Sequence, residues 1–316
     1  MVLCFNLLFL IIMNFKKISI NVCILTGFFL SVSVYAYQNQ SNYRYKQTKN
    51  HVSYVHNAAE LLKNKGEDAF KDFSDEGSEW FRQNRYLFVY DMSGKNIFHP
   101  VTPELEGKNL IDMKDISGKP IIRYFINTVT ESKTDSGWVH YFWIEPGDIF
   151  PSWKSSYITK VTTPSKREYI IGSGLYNMRM EKQFIIDAVD SAVKLIKKKG
   201  TAAFNTFRDK SSRFVFCGTY IFVIDEKGNA IVDPAFPTES GRSLINLKDA
   251  IGRYVVREMI EKLKKQDTAW VMYMRPETGA VRPSKKLVYI RKVKIENKNY
   301  IVGSTFFLAN PIWMKL

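Results

Sequence analysis

Apolar residues recur with the period of an α-helix in two separate stretches of the chain. The first covers residues 52–62 and the second covers residues 184–196. Each stretch is followed by a glycine, Gly66 or Gly200, and glycine is the residue that most often caps the C-terminus of a helix. The pattern therefore predicts two long helices of similar design.

Each long helix is followed by the same series of shorter patterns. A pair of phenylalanines predicts a short second helix, at Phe70 and Phe73 in the first half of the chain. A β-hairpin with a Ser-Gly turn is predicted next, over residues 86–100. A third helix over residues 121–129 and three further strands complete the series. This order predicts an α+β unit in which helices pack on one antiparallel sheet.

The series occurs twice because the chain contains an internal repeat. A shift of 134 residues aligns residues 86–100 with residues 220–234, where seven of fifteen positions are identical. The same shift gives nine identities over the twenty-four residues from position 103, and the offset then falls to 132 and 131. We therefore predict two domains of ordinary size, copy one at residues 37–178 and copy two at residues 179–316.

Residues 1–36 differ from the rest of the chain. Their only charges are two adjacent lysines, and a mostly apolar stretch at residues 18–34 follows. A basic start, an apolar stretch and small residues before a cleavage site are typical of a secretory signal peptide. We expect translation from Met13, cleavage before Tyr37 and a periplasmic or secreted product. The alternative is an uncleaved anchor in the inner membrane formed by residues 18–34, a length that is marginal for a span.

Composition narrows the classes of function. The 316 residues are 45% hydrophobic and 24% charged, which is ordinary globular usage. The cysteines Cys4, Cys23 and Cys217 cannot build a disulfide framework, and the four histidines lack metal-ligand spacing. The Gly-Ser-Gly at residues 172–174 lacks the third glycine of a dinucleotide-binding loop, and a nucleophile elbow is missing. The sequence favours a binding protein over an enzyme, with no cofactor and no metal.

The net charge leaves a second class of function open. Forty-six basic residues stand against 31 acidic ones, a net charge of +15, and loss of residues 1–36 would reduce it to +13. The basic residues are scattered in short runs, and we find no nucleic-acid-binding motif among them. The alternative function is a basic, envelope-associated protein that binds an anionic polymer or a lipid surface.

Several short motifs appear in the same order in both copies. In copy one they are a hairpin with Asp-x-x-Gly, then His-Pro, Gly-Lys-Asn-Leu, Lys-Asp-x-x-Gly, Gly-Trp-Val-x-Tyr, Lys-x-x-Tyr-Ile-x-Lys-Val and Tyr-Ile-Ile-Gly-Ser-Gly-Leu-Tyr. Over residues 45–307 this series resembles the single Cache domain of bacterial extracytoplasmic sensors. The resemblance implies two PAS-like domains in tandem, each an antiparallel sheet with a long N-terminal helix. It also implies a pocket for an organic acid, amino acid or similar solute. Because the sequence shows no output domain, we expect the signal to pass to a membrane receptor or kinase partner.

The resemblance also maps pocket residues onto the hairpin, the third helix and the later strands. In copy one they are Tyr86, His99, Arg123, Trp138, Tyr141, Lys154 and Tyr157, and in copy two they are Tyr220, Asp233, Arg257, Trp270, Tyr273, Lys286 and Tyr289. Alternation along a strand puts Lys154 and Tyr157 on opposite faces unless a bulge intervenes. We expect the primary site in copy one, where the set is more aromatic, and a carboxylate-binding charge from Lys154.

Structural roles compete with these assignments. The aromatic residues could belong to the core, and Arg123 and Arg257 could be exposed on a helix face. His99 could stabilise the turn before Pro100. Asp91 and its equivalents are expected to hold turns.

Overall fold

The computed structural model describes residues 42–276 and 281–308. The predicted signal peptide lies outside these residues. The chain divides into two compact units after Ser53, so the described part of the first unit is residues 42–53. Both sheets belong to the second unit, which begins at Tyr54. Within the described ranges, every helix is too short or too polar to cross a membrane.

Copy one contains its helices and strands in the predicted order. They are α1 Lys46–Lys65, α2 Ala69–Ser74, β1 Phe88–Asp91, β2 Asn96–Phe98, α3 Ile121–Glu131, β3 Ser136–Ile144, β4 Pro151–Thr162 and β5 Glu168–Tyr176. The α1 helix ends one residue before Gly66, whose φ of 61° is the positive value that favours glycine at this position.

Copy two repeats this order element by element. Its elements are α4 Lys182–Lys199, α5 Ala203–Arg208, β6 Ile221–Asp225, β7 Ala230–Val232, α6 Val255–Lys265, β8 Thr268–Pro276, β9 Pro283–Ile295 and β10 Lys298–Phe307. The α4 helix again ends before a glycine with positive φ, Gly200.

Each copy forms one five-stranded antiparallel sheet. The strand orders are β2-β1-β5-β4-β3 and β7-β6-β10-β9-β8, so the last strand of each copy lies in the centre. This arrangement confirms the predicted α+β class with two PAS-like sheets. The predicted boundary between residues 178 and 179 stays a prediction, since both sheets fall in the same compact unit.

Separate apolar clusters cover the sheets. In copy one, α3 packs over one face through Ile121, Ile122, Phe125 and Val129, against a cluster that includes Phe88 and Ile158. In copy two, α6 covers the equivalent face and α4 and α5 cover the other. The sheet of copy two therefore has an apolar core on both sides.

Aspartates hold the turns of both copies, as expected. Asp91 Oδ1 accepts hydrogen bonds from the backbone N–H groups of Ser93 and Lys95 at 2.8 and 2.9 Å. Asp115 makes the same pattern one loop later and also accepts a bond from the Phe142 N–H in β3 at 2.9 Å. The loop before α3 is therefore bonded to the edge of the sheet.

The two copies meet at this same loop. Lys119, which is 0% exposed, donates from Nζ to the backbone carbonyls of Ser212 at 2.8 Å and Val215 at 2.6 Å. The His140 ring on β3 stacks on Phe216, with centroids 4.4 Å apart and planes 11° apart. A buried ammonium in copy one thus fixes the segment that leads into β6 of copy two.

Candidate functional site

The candidate site of copy one lies on the sheet face beneath α3. Tyr141 on β3 pairs with Lys154 on β4, which pairs with Tyr176 on β5. Residues directly opposite one another in an antiparallel sheet project to the same face. Trp143 and Ser156, two residues further along their strands, project to that face as well. The sheet therefore gathers aromatic and hydroxyl groups around one lysine.

Lys154 is the cation of this face and is 1% exposed. Its Nζ donates to Tyr86 Oη at 2.6 Å and lies 4.3 and 4.9 Å from the ring centroids of Tyr86 and Tyr176. Burial lowers the pKa of Lys154, while Tyr86 opposes that shift. An ammonium has three N–H donors, and within the described residues only the bond to Tyr86 uses one of them. Two donors are left for a ligand.

Gly174 on β5 makes room for this lysine. A Cβ at position 174 would lie 2.5 Å from Lys154 Cε and 2.5 Å from Ser156 Oγ, so a larger residue would displace both side chains. The Ser156 hydroxyl is bonded to Tyr141 Oη at 2.8 Å. The strands are therefore shaped around the extended lysine side chain.

His99, which follows β2, adds a neutral donor. Its Nδ1 accepts a hydrogen bond from the backbone N–H of Thr102 at 3.0 Å, so the neutral ring carries its proton on Nε2. Burial, together with the charge of Lys154, lowers the pKa of His99 to about 3. The ring lies 5.2 Å from the Tyr86 ring and 6.3 Å from the Trp143 ring, measured between centroids. Near pH 7 it therefore offers an N–H without a second positive charge.

A cavity lies between these groups and α3. Its walls are mostly apolar and include Phe88, Met113, Ile121, Ile122, Phe125 and Trp143, together with Tyr90, Tyr141, His99 and Lys154. The space is about 230 Å³ when the open solvent at its mouth is included, and its enclosed part has room for about one water molecule. A bound organic ligand therefore requires some of these side chains to move apart.

Two of the predicted pocket residues lie on the opposite sheet face. Tyr157 Oη donates to Ser136 Oγ at 3.0 Å and lies 3.2 Å from His56 Nε2 on α1. Trp138 packs on the Tyr157 ring with centroids 5.4 Å apart, and on Phe184 of α4 at 5.2 Å. Strand alternation separates this pair from Lys154, so both belong to the face that contacts α1 and α4 and not to the face beneath α3.

Arg123 does not reach the cavity either. It lies on the exposed side of α3 and forms an ion pair with Asp112. The structure thus brings together four of the seven predicted residues of copy one, namely Tyr86, His99, Tyr141 and Lys154. Sequence reasoning missed Tyr176, although an aromatic residue recurs at the aligned position in copy two, Phe307.

The equivalent face of copy two gathers a more charged set. Tyr273 pairs with Lys286, and Lys286 pairs with Phe307. Tyr220 and Asp233 lie beside Lys286, and Arg275 takes the place of Trp143. The other predicted residues lie elsewhere: Trp270 and Tyr289 pack on the α4 side, and Arg257 is exposed and bonded to Asn246.

Comparison with known proteins identifies the family of the chain. The model of the Cache domain family matches residues 30–310. The methyl-accepting chemotaxis protein McpP of Pseudomonas putida is 30% identical over 108 residues, which are 34% of this chain and 19% of that protein. The sensor histidine kinase MctS of Rhizobium johnstonii is 30% identical over 96 residues, 30% of this chain and 20% of the kinase. The matches therefore span about a fifth of each of these relatives.

Among solved structures, a Cache chemosensory domain studied for carboxylic acid recognition shares 27% identity with this chain. The match covers 42% of this chain and 94% of that domain, with a TM-score of 0.36. The family match extends over most of the chain, across both sheets and both candidate sites. This chain belongs to the Cache domain family of extracytoplasmic sensors.

Proposed function

We propose that copy one binds a small organic carboxylate and that this binding is the event the sensor detects. The observation that carries the proposal is Lys154, a cation held inside an apolar cavity with two unused N–H donors. Burial of an ammonium costs free energy unless an anion or a set of acceptors offsets it. A ligand carboxylate supplies that anion.

The remaining groups of the cavity suit the same ligand. Charge-assisted hydrogen bonds from Lys154, with a neutral N–H from His99, would satisfy both carboxylate oxygens. The apolar walls from α3 exclude competing water and accept a short hydrocarbon body. The enclosed space is small, so the proposal is restricted to monocarboxylates of a few carbon atoms.

We also propose that α3 transmits occupancy of the cavity. Ile121, Ile122 and Phe125 of α3 line the cavity, and Lys119 just before the helix holds copy two. A ligand that shifts the start of α3 would therefore act on the segment leading into β6. The final receiver in this proposal is a receptor or kinase partner at the membrane.

A thermal-shift screen of short monocarboxylates, followed by calorimetry, tests the proposal. A ligand that binds only the folded state must raise the melting temperature. Replacement of Lys154 by Met keeps the apolar stem and removes the ammonium, so we expect a loss of about 1.5–3 kcal/mol, or roughly tenfold to more than a hundredfold in Kd. The matched control is Lys286→Met, at the equivalent position of copy two, which should leave the affinity unchanged. Equal affinity in Lys154→Met, or a larger loss in the control, would contradict the assignment to copy one.

A further inference from the structure

Almost all of the net charge of the two copies belongs to copy two. Residues 179–316 contain 26 lysines and arginines against 14 aspartates and glutamates, a net charge of +12. Residues 37–178 contain 18 basic and 17 acidic residues, a net charge of +1. The basic runs of copy two are separated along the sequence, so the fold decides whether they form one surface.

Three of these runs meet at one end of the copy-two sheet. The last turn of α4 is Lys197–Lys199, and a Cβ on the following Gly200 would lie 4.0 Å from Ile295 Cγ2 at the end of β9. Lys292 of β9 forms an ion pair with Asp267, just after α6, at 2.9 Å. Lys292 and, to a smaller extent, Lys197 lower the pKa of the Asp267 carboxyl. The ends of α4 and α6 therefore flank the hairpin of β9 and β10.

The exposed lysines of this region form a surface that we call the basic end. Its members are Lys197, Lys198, Lys199, Lys265, Lys294 and Lys298. Across residues 42–276 and 281–308, the ammonium groups of these six form neither an ion pair nor a hydrogen bond. The helix dipole favours positive charge in the last turns of α4 and α6, but it does not account for Lys294 and Lys298 on the strands. The basic end is thus a set of free cations at the surface.

The same end of copy one is balanced by carboxylates. There Lys65 pairs with Asp72 at 2.9 Å, Lys160 with Glu168 at 3.3 Å and Arg167 with Glu67 at 3.2 Å. The repeat aligns the acidic residues Glu67, Asp72, Glu131 and Glu168 with Thr201, Thr206, Lys265 and Asn299 in copy two. Copy one forms the same elements while keeping these carboxylates, so the fold does not require their loss.

The chemistry of the basic end indicates the kind of partner. Lys294 pairs with Asn299 and Lys298 pairs with Ile295, so the two lysines project to opposite faces of the sheet. The cations therefore surround the end of the sheet and do not follow one groove. Arginine forks and aromatic rings, which nucleic-acid sites use for bidentate bonds and stacking, do not belong to this set. Clusters of about four to eight basic residues are typical of proteins that bind anionic lipids.

We propose that the basic end of copy two binds the surface of a membrane that contains anionic phospholipids, through their phosphate groups. Lysine suits this contact because its ammonium is a compact point charge on a flexible stem. Each lysine near such a surface contributes about fivefold to the binding constant. The surface goes beyond the proposed carboxylate site and does not depend on it, because Lys154 is buried on another part of the chain.

Co-sedimentation of the full chain with vesicles tests this surface. Vesicles of phosphatidylcholine with and without phosphatidylglycerol are compared, and the measured quantity is the gain in affinity from phosphatidylglycerol. An apolar segment such as residues 18–34 would contribute equally to both kinds of vesicle. We expect a clear gain, and we expect it to disappear as the salt concentration rises from about 0.1 M to about 1 M, because the Debye length falls from about 10 Å to about 3 Å.

A triple variant locates the contact. Lys198→Gln, Lys199→Gln and Lys294→Gln together remove three positive charges from the basic end, and none of these side chains has a partner to lose among the described residues. The gain in affinity from phosphatidylglycerol should fall on the order of a hundredfold. An unchanged gain would overturn the proposal, as would the absence of any gain in the wild type.

A matched triple variant separates this surface from the total charge. Lys95→Gln, Lys108→Gln and Lys114→Gln remove the same charge from exposed positions of copy one and should change the gain little. Equal losses in the two triple variants would mean that net charge, and not the basic end, attracts the lipid. Binding of a DNA duplex or a soluble anionic polysaccharide through the basic end, without binding to the vesicles, would overturn the assignment to lipid.

Discussion

The fold keeps the His99 side chain neutral near pH 7. Its pKa is lowered to about 3 by burial, with the charge of Lys154 as the second cause, whereas an unfolded histidine titrates near 6.5. Between these values the unfolded chain binds a proton that the folded chain does not, so stability falls as the pH drops from about 6.5 towards 3. This residue alone should contribute a slope approaching about 1.4 kcal/mol per pH unit below pH 6.

Urea unfolding of the wild type and of His99→Asn between pH 7 and pH 5 measures this slope. Asparagine can keep an acceptor near the position of Nδ1 for the Thr102 N–H and cannot titrate. The variant should lose less stability than the wild type over this interval. Parallel pH profiles for the two proteins would mean that His99 is not held neutral by the fold.

Lys119 bonds the loop before α3 to the segment at Ser212 and Val215 in copy two. Replacement of Lys119 by Met would leave the Val215 carbonyl without a donor, at a cost of about 1–3 kcal/mol, and would leave the Ser212 carbonyl only its bond from the Val215 N–H at 3.2 Å. We therefore expect a clear drop in the free energy of unfolding and faster amide exchange in residues 211–216. Lys114→Met, an exposed change in the same loop, should stay within about 0.5 kcal/mol of the wild type. Equal stability of the two variants would show that the buried lysine does not hold the copies together.

The elements were predictable from the sequence because their periodicity is strong and occurs twice. The same alternation predicted that Lys154 and Tyr157 lie on opposite faces, and the structure shows this separation. Mapping by resemblance placed both in one pocket, since a motif records order along the chain and not the face of a strand. Lys119 could not be found because its partners lie more than ninety residues away and exist only after the two copies pack.

In the whole molecule, we expect the two sheets to be able to fold separately. Copy two has apolar clusters on both faces of its own sheet, so residues 179–316 expressed alone should melt cooperatively. Its melting temperature should be lower than that of the full chain, because Phe216 and Phe184 lose the His140 ring that packs on both. Circular dichroism during heating measures this. A gradual, non-cooperative melt would mean that the copies share one folding unit.

A crystal structure of the full chain with the best monocarboxylate from the screen would show whether a small carboxylate occupies copy one beside Lys154. We expect a carboxylate oxygen within about 2.7–2.9 Å of Lys154 Nζ, in the cavity under α3, with the hydrocarbon body against Phe125 and Trp143. A cavity without the ligand, with Lys154 bonded only to Tyr86 while the anion binds exposed lysines, would rule out Lys154 as the carboxylate-binding residue.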